Sequence, residues 1–228
     1  MQHFSQKIKL DAFEIESPLF SGCSPEEVQK ILTHAGYSFR KYNKGENIYR
    51  PGDSIERCGL ILGGSVDVIQ VTASGREELV VREKAGELIG QAFCITGTRN
   101  SFIHFRASDE VTLLFFELRR ILQTPNSQNY YIKFIMNIST IMATSNIELN
   151  RKIRILTQKT LRDKLLLFFK EISRNNQDSP VIRIPYTREQ IGSFVCADRA
   201  SVCRELGKMQ DDGLIRLNGR RLILLQSD

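Results

Sequence analysis

The stretch TREQIGSFVCADRASVCREL, residues 187–206, decides the fold of the C-terminal part of this chain. It predicts two short helices, because apolar residues recur at helical spacing on both sides of a break at residues 196–198. The apolar positions are Ile191, Phe194 and Val195 in the first helix, and Val202, Leu206 and Met209 in the second. Asp198 is a favourable N-cap for the second helix, and Gly192 leaves room where two steeply crossing helices approach. We therefore expect a helix-turn-helix, a motif that reads the DNA major groove.

The outward face of the second helix carries residues suited to base contact. They are Arg199, Ala200, Ser201, Cys203 and Arg204. Because arginine forms paired hydrogen bonds with guanine O6 and N7, Arg199 and Arg204 are expected to reach base edges. Ser201 is expected to add a base or backbone hydrogen bond. The alternative is an ordinary helical hairpin with a solvated front.

The residues after this motif predict a β-hairpin, or wing. Gly213 is expected to end the second helix, and Asn218-Gly219 is a strong turn signal between two apolar runs. A helix-turn-helix followed by a hairpin is a winged helix. Its basic residues outside the second helix are expected to contact phosphates, and they are Arg188, Arg216, Arg220 and Arg221.

The N-terminal region has a different pattern. Residues 18–34 are predicted to be helical, with Ser24 as the N-cap and Pro25 in the first turn. From residue 39 to about 116 the apolar period becomes two, with frequent turn residues, which is typical of a small β-sandwich or barrel. The β-rich segments are Cys58–Leu62, Val66–Val71, Leu79–Val81 and Val111–Phe116.

Residues 129–156 contain no Gly or Pro and predict one long helix. Its apolar stripe consists of Ile135, Ile138, Met142, Leu149, Ile153 and Leu156, with a slip at Ser145-Asn146. A stripe of this kind needs a partner. We expect a second copy of the chain, and the alternative is packing against the chain's own β-region. The predicted domains are an effector domain at 1–128, a dimerisation helix at 129–157 and a DNA-binding domain at 158–228.

The C-terminal region resembles that of the Crp/Fnr family of bacterial transcription regulators. The resemblance lies in Thr187–Gly192, Asp198–Leu206 and Gly213–Ile215. The N-terminal region resembles the family's cyclic-nucleotide-binding β-roll in Lys44–Asp53, Leu60–Val68, Gly75–Glu77 and Gly86–Gly90. The implied fold is α+β: a double-stranded β-helix or jelly-roll effector domain, a long dimerisation helix and a winged helix-turn-helix.

The resemblance implies a homodimer that binds near-palindromic double-stranded DNA under the control of an effector. RNA polymerase is a further expected partner if the protein is an activator. The second helix of the helix-turn-helix corresponds to the family's recognition helix, and one of its residues departs from the family pattern. Ala200 stands where the family commonly carries a base-reading glutamate, so a different operator sequence is expected.

The resemblance also implies where an effector would bind. Family members that bind cAMP carry a glutamate after the glycine that corresponds to Gly90, and an Arg-Ser pair about ten residues later. This chain has Gln91 and Ser101-Phe102 there, although a two-residue shift would bring Arg99 into the role. We expect an effector other than cAMP, or none. The expected pocket residues are Gly90, Gln91, Cys94, Arg99, Ser101 and Phe102.

Five cysteines leave a second function open, that of a small-molecule or thiol-redox sensor acting mainly through protein contacts. Cys94, with Cys58 as its partner, would be the switch, although buried cysteines are more often inert. Cys23 alone does not supply the N-terminal cluster of the family's iron–sulfur branch. The three histidines have no paired ligand spacing, so haem and metal sites are not expected.

Composition narrows the function classes. The 228 residues have a formal net charge of +6, and residues 158–228 hold 13 Lys and Arg against 9 Asp and Glu. This basic bias suits a phosphate-bearing partner. No apolar run approaches the roughly 18 residues that span a bilayer, and no signal peptide is apparent, so a cytoplasmic protein without a membrane partner is expected. No catalytic triad or phosphate loop points to an enzyme.

Overall fold

The structure is a computed structural model that describes residues 8–10, 13–71, 75, 77–98, 103–124, 128–175 and 179–225. The chain divides into two compact units, Met1–Ala143 and Thr144–Asp228. The division falls within a long helix rather than at residue 128 or 157, because the two halves of that helix belong to different hydrophobic cores.

The first unit is built from antiparallel strands. They are β1 (Ile8–Leu10), β2 (Phe13–Ile15), β3 (Tyr37–Tyr42), β4 (Asn47–Tyr49), β5 (Cys58–Gly63), β6 (Ser65–Val71), β7 (Glu77–Lys84), β8 (Leu88–Ile89), β9 (Ile103–Ala107) and β10 (Val111–Phe116). Two four-stranded sheets, in the orders β3-β10-β5-β8 and β4-β9-β6-β7, form a roll, and β1 pairs with β2. The predicted β-rich region is confirmed as this β-roll. Burial alternates over the first four residues of β6, whereas β10 is buried at five of its six positions.

Three short helices accompany the roll: α1 (Pro25–Ala35), α2 (Gln91–Thr96) and α3 (Leu118–Gln123). The start of α1 is set by a capping box, in which the Ser24 hydroxyl accepts from the Glu27 N–H and the Glu27 carboxylate accepts from the Ser24 N–H. The prediction of one helix over 18–34 is wrong at its beginning. Pro18–Phe20 form a separate 3₁₀ turn, because Ser17 caps that turn and Ser24 caps α1.

The long helix α4 runs over Asn129–Leu156, as predicted. In the first unit, its Tyr131, Phe134 and Ile138 are buried in the core of the roll. In the second unit, its Ile155 is buried with the C-terminal elements. Each half of α4 therefore helps to complete the core of its own unit.

The second unit continues with α5 (Leu161–Asn175), β11 (Val181–Arg183), α6 (Arg188–Val195), α7 (Arg199–Asp211), β12 (Ile215–Asn218) and β13 (Arg221–Leu224). The strands form an antiparallel sheet in the order β11-β13-β12. Its core joins all three helices to the sheet through Phe169, Ile191, Val202, Leu206 and Leu222. This is the predicted winged helix-turn-helix.

The turn of the wing differs by one residue from the prediction. Asn218 pairs with Arg221, so the two-residue loop is Gly219-Arg220 rather than Asn218-Gly219. Gly219 has φ of 58°, and Cys196 is the one non-glycine residue with positive φ in the described ranges. In the loop Gly219-Arg220, only the first residue has a positive φ. This is the pattern of a type II′ turn, which needs glycine at its first position only. Asn218 is thereby left in the strand.

In the described part of the chain, no helix combines the length and the apolar character needed to cross a bilayer.

Candidate nucleic-acid interface and effector region

The helix-turn-helix is built by α6, α7 and the turn between them. Thr187 caps α6 in a second capping box with Gln190. A Cβ atom on Gly192 would lie 2.5 Å from the carbonyl oxygen of Ala197, so only glycine fits this approach. Cys196 turns the chain with φ of 55° and ψ of 50°, in the left-handed region. These features set the crossing of the two helices.

The first turn of α7 is held by a chain of polar side chains. The Asp198 carboxylate accepts from the backbone N–H of Ser201 at 2.8 Å and from its hydroxyl at 2.7 Å. The Ser201 hydroxyl in turn accepts from an Arg204 guanidinium nitrogen at 2.9 Å. The hydrogen bond from the Ser201 side chain lowers the pKa of Asp198 most, and the bond from the Ser201 backbone lowers it further. This carboxylate therefore stays charged. The cap thus also orients Arg204.

The back of α7 fixes the helix in the unit. Val202, Leu206 and Met209 are at most 3% exposed. Arg162 of α5 contacts the middle and the C-terminal end of the helix, with nitrogen–oxygen distances of 2.7 Å to Glu205 and 2.6 Å to Asp212. This pair of contacts ties α7 to α5, so the exposed face of α7 is presented on a rigid support.

That exposed face contains the residues expected to contact bases. Arg199, Ala200, Cys203 and Arg204 are exposed, and Ser201 is half-buried by its part in the cap. Arg199 lies 3.6 Å from the Glu189 carboxylate, and both side chains are about two-thirds exposed, at 66% and 68%. An ion pair this open is weak. Arg199 is therefore available to an anionic or base partner.

The sheet of the wing presents a basic outer face. Because side chains alternate along a strand, Arg216 and Arg221 lie on the face of the sheet that points away from the buried Leu222. The strand register places Arg221 directly across from Arg183 of β11. Arg183, Arg216, Arg220 and Arg221 are all exposed, and none has an ion-pair partner among the described residues. Like charges directly opposite each other on a sheet are destabilising. Such a pair is suited to an external anion.

Arg183 is the site residue that sequence reasoning missed. The alternation Val181-Ile182-Arg183-Ile184 indicates an outward arginine, but only the strand register brings it beside Arg221. Arg188 is half-buried at the first position of α6, where a helix N-terminus favours phosphate.

The apolar stripe of α4 is divided by the fold. Ile138 is 3% exposed in the core of the roll, and Ile135 and Met142 are partly buried against that core. The first half of the stripe therefore packs in part on its own unit. Leu149 and Ile153 are each 56% exposed, while Leu156 is half-buried. Further apolar side chains left exposed on α4 are Ile132, Met136 and Ile147.

The segment expected to bind an effector, which we call the cassette, begins at Gly90 and includes the short helix α2. Gly90 caps it with φ of 75°, and a Cβ atom there would lie 2.8 Å from Ile55. Gln91 begins the helix. Phe93 packs edge-to-face on Phe105 at a centroid distance of 6.4 Å, and Tyr49 also packs edge-to-face on Phe105, at 6.1 Å. Aromatic rings thus fill the roll beside the cassette. Arg99, Ser101 and Phe102 lie outside the described residues.

The thiols expected as a redox switch are buried. Cys58 is 0% and Cys94 is 3% exposed. Burial raises the pKa of Cys94 to about 12 and that of Cys58 well above its usual value. Since the thiolate is the reactive form, these two cysteines are in an environment typical of inert core thiols. Cys196 and Cys203 are instead exposed on the helix-turn-helix.

A polar cavity of about 520 Å³ lies beside the cassette in the first unit. Three arginines and two glutamates line it, together with Cys94 and the end of α2; the charged residues are Glu56, Arg57, Glu117, Arg119 and Arg120. Cys94 is the one expected pocket residue, of those described, that lines this space. The volume is in the range of small-molecule sites. Among the described residues, no group of three or more His, Cys, Asp or Glu side chains is placed to hold a metal ion.

A β-roll followed by a long helix and a winged helix-turn-helix defines a class of two-domain transcription regulators. Sequence comparison agrees with this architecture. Residues 39–127 match the cyclic nucleotide-binding domain, and residues 161–228 match the Crp-like helix-turn-helix domain. The chain belongs to the Crp/Fnr family and is a DNA-binding transcription regulator, and the members of this family are not enzymes.

Proteins that match this chain along most of its length share about a fifth of its residues. The chain is 23% identical to the CRP-like protein Clp of Xanthomonas oryzae pv. oryzae over 205 residues, which are 86% of this chain and 87% of that protein. The structure of CLP from Xanthomonas campestris, described as a c-di-GMP-responsive global regulator, has a TM-score of 0.60 at 20% identity, covering 90% of this chain and all of that one. CooA from Carboxydothermus hydrogenoformans gives a TM-score of 0.59 at 18% identity, covering 90% of this chain and 88% of that one. The last two similarities concern the fold.

Proposed function

We propose that this regulator binds a near-palindromic operator as a homodimer, with α7 in the major groove and Arg199 and Arg204 at base edges. The observation that carries the proposal is the polar chain Asp198–Ser201–Arg204, which holds an exposed arginine one turn into a helix whose opposite face is fully buried. An arginine held in this way is preorganised for the O6 and N7 atoms of guanine. Each such pair discriminates by about 1–3 kcal/mol against a wrong base.

The proposed phosphate contacts come from the exposed arginines of the wing sheet and from the start of α6. They are Arg183, Arg188, Arg216, Arg220 and Arg221. Phosphate contacts position a protein on DNA without reading its sequence. The direct juxtaposition of Arg183 and Arg221 supports this role, because a phosphate relieves the repulsion between the two guanidinium groups.

The proposed dimer forms through α4. Leu149 and Ile153, one helical turn apart, expose more than half of their side chains, which a second copy of the helix would bury. Two recognition helices about 34 Å apart would then face successive major grooves. RNA polymerase would be a partner if the protein activates transcription.

We further infer that the effector is not cAMP. Gln91 offers no carboxylate to a ribose, and Phe93 packs its ring on Phe105 beside the cassette. No haem, iron–sulfur or metal cofactor is proposed. Because a distant relative of similar fold is described as c-di-GMP-responsive, this nucleotide is the first to test, and the arginine-lined cavity is a site with the charge to receive it.

Selection of binding sites from a random DNA pool tests the proposal. The purified protein should enrich two inverted half-sites spaced by one helical turn, without cAMP dependence, and the selection is repeated with c-di-GMP. A pool that yields no motif under any of these conditions would contradict specific DNA binding.

Sedimentation velocity tests the dimer separately. The double variant Leu149→Glu/Ile153→Glu should sediment as a monomer and lose operator affinity. The matched variant Thr144→Glu, at an exposed polar position of the same helix, should remain a dimer. Equal sedimentation of all three proteins would exclude this face as the dimer contact.

A further inference from the structure

We propose that Ala200 reads a thymine of the operator through the thymine 5-methyl group. The contact would be apolar, and it would replace a hydrogen bond to a base in the first turn of α7. This inference rests on the proposed docking of α7 in the major groove, and it adds a specific base preference to that docking.

Ala200 is at the centre of the outward face of α7. It is the second residue of the helix and is exposed. At roughly 100° per residue, Ala200 lies about 180° around the helix axis from Met209, which is 0% exposed. The residue farthest from the protein core is therefore the one that meets the floor of a groove first.

The side chains along the middle of this face are small and carry no charge. Cys203, one turn later, carries a weakly polar thiol. Gly207, a further turn along the same face, carries no side chain, and a Cβ atom there would meet nothing within 4 Å. Packing within the protein does not require a glycine at this position. Small side chains at both ends of the face allow the helix backbone to approach the bases closely.

An alanine methyl can satisfy only one base edge in the major groove. Guanine, adenine and cytosine present hydrogen-bonding groups that would lose their water against a methyl group. Thymine also presents the O4 acceptor, but it alone adds an apolar 5-methyl group, which alanine contacts favourably. With Arg204 held one turn away by Ser201 at 2.9 Å, we expect this thymine to lie next to a guanine in each half-site.

The test uses the operator selected by the unmodified protein. Each thymine in the half-site is replaced in turn with deoxyuridine, which lacks only the 5-methyl group, and the affinity is measured by fluorescence anisotropy. One position should lose about fourfold in affinity per half-site, and the other thymines serve as controls. In Ala200→Gly, thymine and deoxyuridine at that position should bind equally.

A second variant guards against a folding effect of glycine in the helix. Ala200→Glu should change the selected base at this position from thymine to cytosine, whose N4 amine donates to a carboxylate. The inference is overturned if no thymine replacement weakens binding, if Ala200→Gly keeps the same thymine preference, or if Ala200→Glu selects the original base. An unmodified protein that enriches no sequence would overturn the proposed function, and this inference with it.

Discussion

The Asp198 carboxylate accepts two hydrogen bonds from Ser201, from its backbone N–H at 2.8 Å and from its hydroxyl at 2.7 Å. One residue therefore caps the recognition helix and also fixes the hydroxyl that orients Arg204. The stability of the helix start and the position of a base-reading arginine depend on the same carboxylate.

This dependence predicts a pH effect. Asp198→Asn keeps an oxygen that can cap the helix but removes the charge. Because the Ser201 hydrogen bonds and the nearby Arg204 lower the pKa of Asp198, the charged form stabilises the fold above the unfolded pKa of about 3.9. That stabilisation is lost as the pH falls through the lowered pKa. Urea unfolding of the second unit should show that the wild type is more stable than Asp198→Asn at pH 7. This difference in stability should disappear below about pH 4. A constant difference across this range would contradict the assignment.

Two glycines of the motif should respond in opposite ways to alanine. Gly192→Ala places a Cβ atom 2.5 Å from the carbonyl oxygen of Ala197 and should destabilise the unit by about 1–3 kcal/mol. Gly207→Ala adds a methyl group in open space and should stabilise it by about 1 kcal/mol. Chemical denaturation of both variants and of the unmodified protein measures these differences in the free energy of unfolding. A Gly192→Ala variant as stable as the unmodified protein would mean that the crossing of α6 and α7 is not set as described, whatever the effect of Gly207→Ala.

The five cysteines should fall into two reactivity groups. Cys196 and Cys203 are exposed, whereas Cys23, Cys58 and Cys94 are buried with raised pKa values. A thiol reagent should label two cysteines in the native protein and five after unfolding, as counted by mass spectrometry. Operator DNA should protect Cys203 from the reagent, since this thiol lies on the outward face of α7. Rapid native labelling of Cys94 would instead favour a thiol switch in the effector domain.

Arg183→Gln should stabilise the protein while weakening DNA binding. Removal of one of two like charges that face each other should gain about 0.2–1 kcal/mol. Loss of a phosphate contact should weaken all DNA sequences alike and reduce the slope of log affinity against log salt by about 0.9. Arg174→Gln, at a residue of α5 that pairs with Glu171, is the matched control and should leave the salt slope unchanged. A sequence-dependent loss in Arg183→Gln would contradict a phosphate contact.

Local sequence signals predicted much of this architecture. The lack of Gly and Pro over 129–156 allows α4 to run without a break, and Asp198 and Thr187 are caps that act on their own first turns. Such features depend on neighbours within about four residues, so a sequence displays them directly.

Other features depend on pairing between distant residues. The position of Arg183 opposite Arg221 arises from strand register, and the burial of Ile138 depends on the roll against which it packs. The loop Gly219-Arg220 differs from the expected Asn218-Gly219 because one strand extends a residue further. These properties are set by tertiary packing, which the periodicity of a single segment does not encode.

In the proposed complex, α7 reads bases while the wing holds phosphates. Operators selected with Arg204→Ala and with Arg220→Ala, in parallel with the unmodified protein, distinguish these two roles. Arg204→Ala should lose the preference for one guanine in each half-site, at a cost of about 1–3 kcal/mol. Arg220→Ala should select the original motif with lower affinity. If Arg204→Ala selects the original motif with undiminished preference, α7 is not docked as proposed.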